Sequence, residues 1–160
     1  MTETILIVDD EIENLRLFST MLGDRYEIET AASGEEGLQK AIALAPDLIL
    51  LDVMMTDMSG VEVCKALKTD PATTGIPVIF VTGLDDAHNE QTGLTVGAVD
   101  YCTKPIHPAV LQARVQVHLE HRQYTRYLEA LVDQRTRSLG EARRQAQLLL
   151  EGQQAWTAQA

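Results

Sequence analysis

The sequence predicts an α/β fold in which a doubly wound sheet of five parallel strands carries helices on both faces and is followed by a long C-terminal helix. Short apolar runs rich in β-branched residues alternate five times with segments whose apolar residues recur at helical spacing. Such alternation is typical of parallel sheets with right-handed crossovers. From residue 108 to about residue 152 the helical pattern continues without a convincing break.

The first strand is predicted at Thr4–Val8, a continuous apolar run bounded by acids, as expected for a strand that is buried on both faces. The next segment repeats apolar residues at helical spacing until a Gly-Asp pair ends it. Two later helices begin with capping boxes, in which Ser33 precedes Glu36 and Ser59 precedes Glu62 by three positions. The other predicted elements are strands at 26–31, 48–51, 78–81 and 98–102, and helices at 34–44, 60–68, 86–93 and from 108 onward.

Length and charge restrict the function. The 160 residues allow one globular domain with an appendage and exclude a large multidomain enzyme. Residues 1–106 carry 19 acidic and 6 basic side chains, whereas residues 107–160 carry 5 and 7. Because phosphate affinity depends on Lys and Arg, this acidic first part argues against DNA binding there, and we expect no direct DNA contact.

The sequence also predicts a cytoplasmic protein without membrane contact. No stretch approaches the roughly 18 apolar residues that a membrane span requires, and the first residues lack the pattern of a secretory signal. The two cysteines, Cys64 and Cys102, are far apart and lack CxxC spacing, which fits a reducing compartment.

Polar side chains follow four of the predicted strands. Asp9 and Asp10 follow the first strand, Asp52 the third, Thr82 ends the fourth, and Lys104 follows the fifth. In a doubly wound sheet the first and third strands are neighbours, so the three carboxylates should converge in one cleft. Three carboxylates that lie close together in one cleft cannot all stay ionised without a cation. A set of ligands that are all oxygen favours Mg²⁺.

These groups suit phosphoryl transfer. Asp52 is the best candidate nucleophile because an apolar strand fixes its position, whereas Asp9 and Asp10 form a pair suited to holding the metal. Lys104 would bring a compact positive charge to the phosphoryl oxygens, and Thr82 would hydrogen-bond the product.

Four segments resemble the receiver domains of two-component response regulators, in that family's order and at its spacing. They are ILIVDDE at 5–11, LLDVMM at 50–55, VTG at 81–83 and GAVDYCTKPI at 97–106. The resemblance covers about residues 3–120. It implies a flavodoxin-like sheet with strand order 2-1-3-4-5.

The resemblance also implies the roles of the site residues. Asp52 would accept a phosphoryl group from a histidine kinase or phosphotransfer protein, and self-catalysed phosphorylation and dephosphorylation would be the only catalysis. Mg²⁺ would be bound by Asp9, Asp10 and Asp52 together with the backbone carbonyl of Met54. Lys104 would bond the phosphoryl group.

The family likeness further implies a switch made of Thr82 and Tyr101. Their movement would change the face formed by the fourth helix, the fifth strand and the fifth helix, and the signal would pass on through the C-terminal helix. The Lys104–Pro105 peptide bond would be cis. Where the family often has proline this chain has Thr56, so we expect a less restrained loop after Asp52.

Other interpretations remain open at this point. A phosphatase of the aspartyl-phosphate type would use a similar cleft, but Met54 occupies the position of its general acid and cannot donate a proton. A structural adaptor with a vestigial pocket is a third interpretation.

His118 and His121 lie one helical turn apart, but the sequence offers no carboxylate or cysteine that would complete a metal site with them. Asp100 is expected to be a loop or cap residue.

The apolar pattern of the C-terminal helix predicts a homodimer. Its apolar positions alternate in steps of four and three, which is typical of a coiled-coil seam that buries itself against a parallel partner helix. We expect a receiver domain at 1–120, a coiled-coil arm at 121–152 and a flexible tail at 153–160. The continuation also resembles linkers to cyclic-dinucleotide enzymes or sensor kinases, so the alternative is the regulatory part of such a larger protein. The seam positions are Leu128, Val132, Arg135, Leu139, Ala142, Ala146 and Leu149.

Overall fold

The computed structural model describes residues 2–83 and 96–159 and confirms the predicted α/β class. The helix predicted at 86–93 lies outside the described residues. None of the helices in the described part of the chain combines the length and apolar character needed to cross a lipid bilayer. The strands are β1 (Thr4–Val8), β2 (Glu27–Ala31), β3 (Leu48–Asp52), β4 (Val78–Thr82) and β5 (Asp100–Thr103), and the described helices are α1 (Ile12–Leu22), α2 (Gly34–Leu44), α3 (Gly60–Thr69) and α4 (Pro108–Gln159).

The five strands form one parallel sheet in the order β2-β1-β3-β4-β5, as predicted. Val8 pairs with Leu51 in the central strands, and Asp52 pairs with Val81. The residues that follow β1 therefore emerge beside the end of β3, which places the two acidic strand ends at one edge of the sheet.

Both faces of the central strands are buried, which explains their continuous apolar sequence. Successive residues of β1 alternate between two cores: Leu6 and Val8 pack with α2 and α3, whereas Ile5 and Ile7 pack with α1 and the first turns of α4. All five residues of β3 are buried, so the position of Asp52 at its end is fixed by packing on both sides.

Both predicted helix caps are present. The Ser33 hydroxyl accepts a hydrogen bond from the backbone N–H of Glu36 (3.1 Å), and Ser59 accepts one from Glu62 (3.2 Å). The return bond of the first cap differs from a standard capping box, because the Glu36 carboxylate accepts from the N–H of Ala32 (3.0 Å), one residue before the cap.

Most predicted boundaries lie within one or two residues of the observed ones. The largest difference at a strand start is in β5, which begins at Asp100 rather than at residue 98. Pairing with β4 nevertheless starts earlier, because the Val99 N–H donates to the Val78 carbonyl (2.9 Å).

The chain divides into two compact units, residues 1–120 and residues 121–160. In the second unit, residues 123–159 are all exposed and continue α4 as helix. The helix extends through Gln159, the last described residue, so residues 153–159 are helical where the sequence predicts a flexible tail. Gln and Ala favour helix there, and the single Gly152 costs only about 1 kcal/mol relative to Ala.

Candidate functional site

Three acidic side chains lie together where β1 and β3 end. One carboxylate oxygen from each of Asp9, Asp10 and Asp52 lies within 4.8 Å of the others. Asp9 and Asp52 are buried, whereas Asp10 is half-buried. Adjacent parallel strands therefore bring carboxylates more than 40 positions apart into one cluster.

The described residues hold the Asp9 carboxylate at one of its two oxygens. Its Oδ1 accepts the backbone N–H of Glu11 (2.9 Å). Its Oδ2 is buried and has no hydrogen-bond partner among the residues that the structure describes. Because an unsatisfied buried acceptor costs about 1–3 kcal/mol, this oxygen is one that could bind a metal ion.

Asp52 faces both positive and negative neighbours. Its Oδ1 lies 3.4 Å from the Lys104 ammonium and 3.4 Å from the Met54 backbone N–H. Burial and the nearby Asp9 charge raise the pKa of Asp52 from its ordinary 3.8 to about 6, and Lys104 and the Met54 N–H oppose that rise. The carboxylate is still mostly ionised at neutral pH, as a nucleophile must be.

Lys104 is positioned by the end of the sheet. Its backbone N–H donates to the Thr82 carbonyl (2.6 Å), and the peptide bond to Pro105 is cis, which confirms the expectation from the family likeness. The Lys104 side chain remains one-third exposed. The ammonium group therefore contacts Asp52 and is also accessible from outside.

The backbone at the start of α3 approaches Asp52 closely, a contact that the sequence pattern does not predict. The Gly60 N–H donates to the Val53 carbonyl (2.8 Å), and a Cβ at Gly60 would lie only 2.4 Å from the Asp52 carbonyl oxygen. No side chain fits there. The signal in the sequence is a glycine immediately after the Ser59 cap, which by itself indicates only a helix start.

The loop between β3 and α3 is tied to two other elements. The Thr56 backbone N–H and hydroxyl both donate to Oδ2 of Asp10, at 3.0 and 3.2 Å. The neighbouring Asp57 carboxylate accepts the N–H groups of Gly34 (3.1 Å) and Glu35 (3.2 Å) at the start of α2. The absence of proline at position 56 predicts a less restrained loop, but these hydrogen bonds restrain it.

Thr82 and Tyr101 lie on neighbouring paired strands, β4 and β5. The Thr82 hydroxyl is buried and, within the described residues, has no hydrogen-bond partner. Tyr101 is half-buried, and the Arg114 guanidinium carbon lies 6.0 Å from the centre of its ring. A buried hydroxyl without a partner is available to an incoming acceptor such as a phosphoryl oxygen.

Asp100 links β5 to α4, although we expected a loop or cap residue. Its carboxylate contacts the Arg114 guanidinium (2.6 Å) and His118 Nε2 (3.0 Å), and it accepts the Tyr101 backbone N–H (2.8 Å). A carboxylate does therefore accompany His118. The four-residue spacing of Arg114 and His118 on one helix was the signal for this contact.

Comparisons with known proteins agree with this geometry. A family model described as the response regulator receiver domain matches residues 5–116. The response regulator PleD of Caulobacter vibrioides is 46% identical over 117 residues, which cover 72% of this chain and 26% of PleD. A probable cyclic di-GMP phosphodiesterase of Vibrio cholerae is 44% identical over 119 residues, covering 74% of this chain and 27% of that protein.

Other relatives are matched over more of their length. The alkaline phosphatase synthesis transcriptional regulatory protein PhoP of Bacillus subtilis is 41% identical over 120 residues, which are 74% of this chain and 49% of PhoP. The chain thus spans between about a quarter and a half of these relatives. The solved structure of chemotaxis protein CheY4 of Vibrio cholerae is 35% identical with a TM-score of 0.69, and the match covers 72% of this chain and 98% of that one.

Proposed function

The chain belongs to the response regulator receiver family, and on that premise we propose that Asp52 is its phosphoacceptor. Receivers of this family are phosphoacceptor signalling domains. The observation that carries the proposal is the setting of Asp52, a buried carboxylate 3.4 Å from the Lys104 ammonium and clustered with Asp9 and Asp10. A histidine kinase or a phosphotransfer protein would supply the phosphoryl group.

The acidic cluster fits a magnesium ion. This fit is supported by the buried Asp9 Oδ2, which has no hydrogen-bond partner in the described part of the chain and lies beside two further carboxylates. Asp9, Asp10, Asp52 and the Met54 backbone carbonyl would hold the ion. When bound, Mg²⁺ supplies positive charge that neutralises the phosphoryl oxygens.

The residues of the chain perform the remaining work. An ionised Asp52 oxygen attacks the donor's phosphorus, forming the O–P bond while the donor's N–P or O–P bond breaks and the electron pair leaves with the donor. Lys104 adds a fixed positive charge beside that oxygen, and the Thr82 hydroxyl, which has no hydrogen-bond partner among the residues that the structure describes, would donate to a phosphoryl oxygen. Both contacts are stronger after transfer, because the phosphoryl group carries more charge than the carboxylate alone.

The proposed output is a change in the surface around Tyr101. If the Thr82 hydroxyl moves to bond the phosphoryl group, the half-buried Tyr101 on the adjacent strand can turn inward. This would repack β5 and the first turns of α4, which Asp100 joins through Arg114 and His118. Reversing a two-state population from 1:99 to 99:1 requires about 5.5 kcal/mol, which a few charge-assisted hydrogen bonds can supply.

Labelling with radioactive acetyl phosphate and Mg²⁺ tests the phosphoacceptor. We expect the wild type and an Asp24→Asn control, altered at an exposed acid far from the cluster in sequence, to be labelled equally. Asp52→Asn should not be labelled. Equal labelling of Asp52→Asn and the wild type would refute the proposal, and EDTA should abolish labelling of the wild type.

We also propose that a second copy of the chain covers the exposed seam of α4. Within the second unit the helix leaves large apolar side chains exposed at heptad positions, including Leu128, Val132, Leu139 and Leu149 at 43 to 72%. A long helix with such a stripe gains stability from a parallel partner. This dimer would be the response to phosphorylation.

The dimer is tested by light-scattering mass with and without beryllofluoride and Mg²⁺. We expect Leu139→Asp to lower the dimer fraction, because it puts a charge into the seam. Ala130→Asp, a matched change on the opposite face of the helix, should leave that fraction unchanged. A wild type that stays monomeric in both conditions would contradict this proposal and leave the phosphoacceptor proposal intact.

A cytoplasmic location is a further part of the proposal. Cys64 and Cys102 are both buried free thiols, a state that reducing compartments maintain. Fractionation of the native cells with detection by antibody tests the location.

A further inference from the structure

We propose that Thr56 is a positioning residue for the Asp10 carboxylate and for the loop that carries the Met54 carbonyl. The inference rests on the magnesium site proposed above.

Thr56 places two donors on one carboxylate oxygen. Its backbone N–H lies 3.0 Å and its hydroxyl 3.2 Å from Oδ2 of Asp10. Asp10 is the least buried of the three clustered acids, so its side chain is less confined by packing than that of Asp9 or Asp52. Two hydrogen bonds from a single residue therefore restrict the one carboxylate that packing leaves freer.

The donors around the cluster follow a common pattern. Glu11 donates to Oδ1 of Asp9, Lys104 and Met54 donate to Oδ1 of Asp52, and Thr56 donates to Oδ2 of Asp10. In each carboxylate the hydrogen bonds among the described residues act on one oxygen, which leaves the second oxygen for a cation. Donors of this kind fix the orientation of metal ligands, and their removal commonly lowers metal affinity 10- to 100-fold.

Thr56 also fixes the loop that follows Asp52. Met54 lies between Asp52, held at the end of β3, and Thr56, held by Asp10. Beyond Thr56 the loop is held again, by Asp57 at the start of α2 and by the bond from the Gly60 N–H to the Val53 carbonyl. The Met54 carbonyl thus lies in a short segment that is fixed at one end by Asp52 and at the other by Thr56.

Magnesium binding to the full chain, without any phosphodonor, tests the inference. Calorimetric titration with MgCl₂ should show about tenfold weaker binding for Thr56→Val, which keeps the shape and the backbone donor but lacks the hydroxyl. Thr56→Ser keeps the hydroxyl and should bind within about twofold of the wild type. Thr20→Val is the matched control, because Thr20 is an exposed threonine on α1 whose hydroxyl donates, among the described residues, to the helix carbonyl of Arg16.

The melting temperature separates positioning from folding. In EDTA, Thr56→Val should melt with the wild type, whereas the rise in melting temperature on adding Mg²⁺ should be smaller for the variant. Equal or tighter Mg²⁺ binding by Thr56→Val, or equally weak binding by Thr56→Ser, would overturn the inference. So would a loss of stability that is the same in EDTA and in Mg²⁺. A wild type that binds no Mg²⁺ would instead refute the proposed site itself.

Discussion

The Lys104 ammonium and the Asp52 carboxylate, 52 positions apart in the chain, meet at 3.4 Å at the carboxyl end of the sheet. The two partners differ in exposure, because 33% of the Lys104 side chain and only 5% of the Asp52 side chain is accessible. Lys104 is therefore a positive charge at the rim of the site that acts on a carboxylate inside it. It partly offsets the burial and the Asp9 charge that raise the pKa of Asp52.

Replacing Lys104 by methionine should raise the pKa of Asp52 above its present value of about 6. The change removes a nearby opposite charge while retaining the length of the side chain, and we expect a further rise of roughly one pH unit. Titration of the Asp52 carboxyl carbon by NMR measures it. Lys65→Met, a loss of an exposed lysine on α3, should leave the titration unchanged, and an identical midpoint in Lys104→Met would show that the contact has no electrostatic effect.

The free energy of unfolding should depend on pH through Asp52. Its pKa is higher in the folded state (about 6) than the ordinary 3.8, so its contribution to stability is fully present below pH 3.8 and is lost as the pH rises through 6. Asp52→Asn abolishes that loss, and in EDTA the variant should gain on the order of 1–3 kcal/mol over the wild type between pH 4 and pH 8. Urea denaturation at several pH values measures the difference.

The exposed Asp24→Asn serves as control for the Asp52 experiment and should show no such gain. A difference between Asp52→Asn and the wild type that stays constant across this range would mean that burial does not hinder ionisation of Asp52. If Asp52→Asn lost stability relative to the wild type as the pH rose, folding would lower the pKa of Asp52 and not raise it.

Gly60→Ala should destabilise the fold strongly. A Cβ at Gly60 would meet the carbonyl oxygen of Asp52 at 2.4 Å and the Cα of Val53 at 2.8 Å, and both are backbone atoms that cannot rotate away. We expect a loss of about 3 kcal/mol or more. Gly75→Ala is the matched control, since a Cβ there meets no described atom within 4 Å. Similar thermal melting of the two variants would contradict the close approach.

The clustering of Asp9, Asp10 and Asp52 could be predicted because these residues follow strands whose type is evident from the sequence. A continuous apolar run such as that of β3 has few alternatives to a buried strand, and topology then decides which strand ends meet. Asp9, Asp10 and Asp52 could thus be placed in one cleft without any knowledge of side-chain conformation. The strand order was the only long-range information needed.

The contacts that the sequence did not predict depend on the path of loops and on rotamers. The bonds from Thr56 to Asp10 require the β3–α3 loop to pass over the end of β1, and no local pattern encodes that path. The requirement for glycine at position 60 comes from a carbonyl oxygen eight residues earlier. The helix beyond Gly152 was also missed, because the segment carries neither a cap nor a proline that would mark its end.

Removing the Asp100 carboxylate should weaken the connection between β5 and α4. Burial raises the pKa of Asp100, but the hydrogen bonds from His118 and Arg114 outweigh that effect and lower the pKa below its ordinary value. Its contribution to stability is therefore present above pH 3.8 and is lost as the pH falls through the lowered pKa. Asp100→Ala should cost about 1 kcal/mol at pH 7, measured by urea denaturation, and the cost should vanish in strong acid. A cost that was independent of pH would assign the effect to packing.

Arg135 should limit the strength of the proposed dimer. It occupies a central position of the seam, between Val132 and Leu139, where two parallel helices would bring two like charges together. Arg135→Leu should therefore lower the dimer dissociation constant about tenfold or more, as measured by sedimentation equilibrium of the full chain with beryllofluoride and Mg²⁺. Arg137→Leu removes the same charge from the opposite face and should leave the constant nearly unchanged. If both variants strengthened association equally, general charge or hydrophobicity would be responsible and the assigned seam would be wrong.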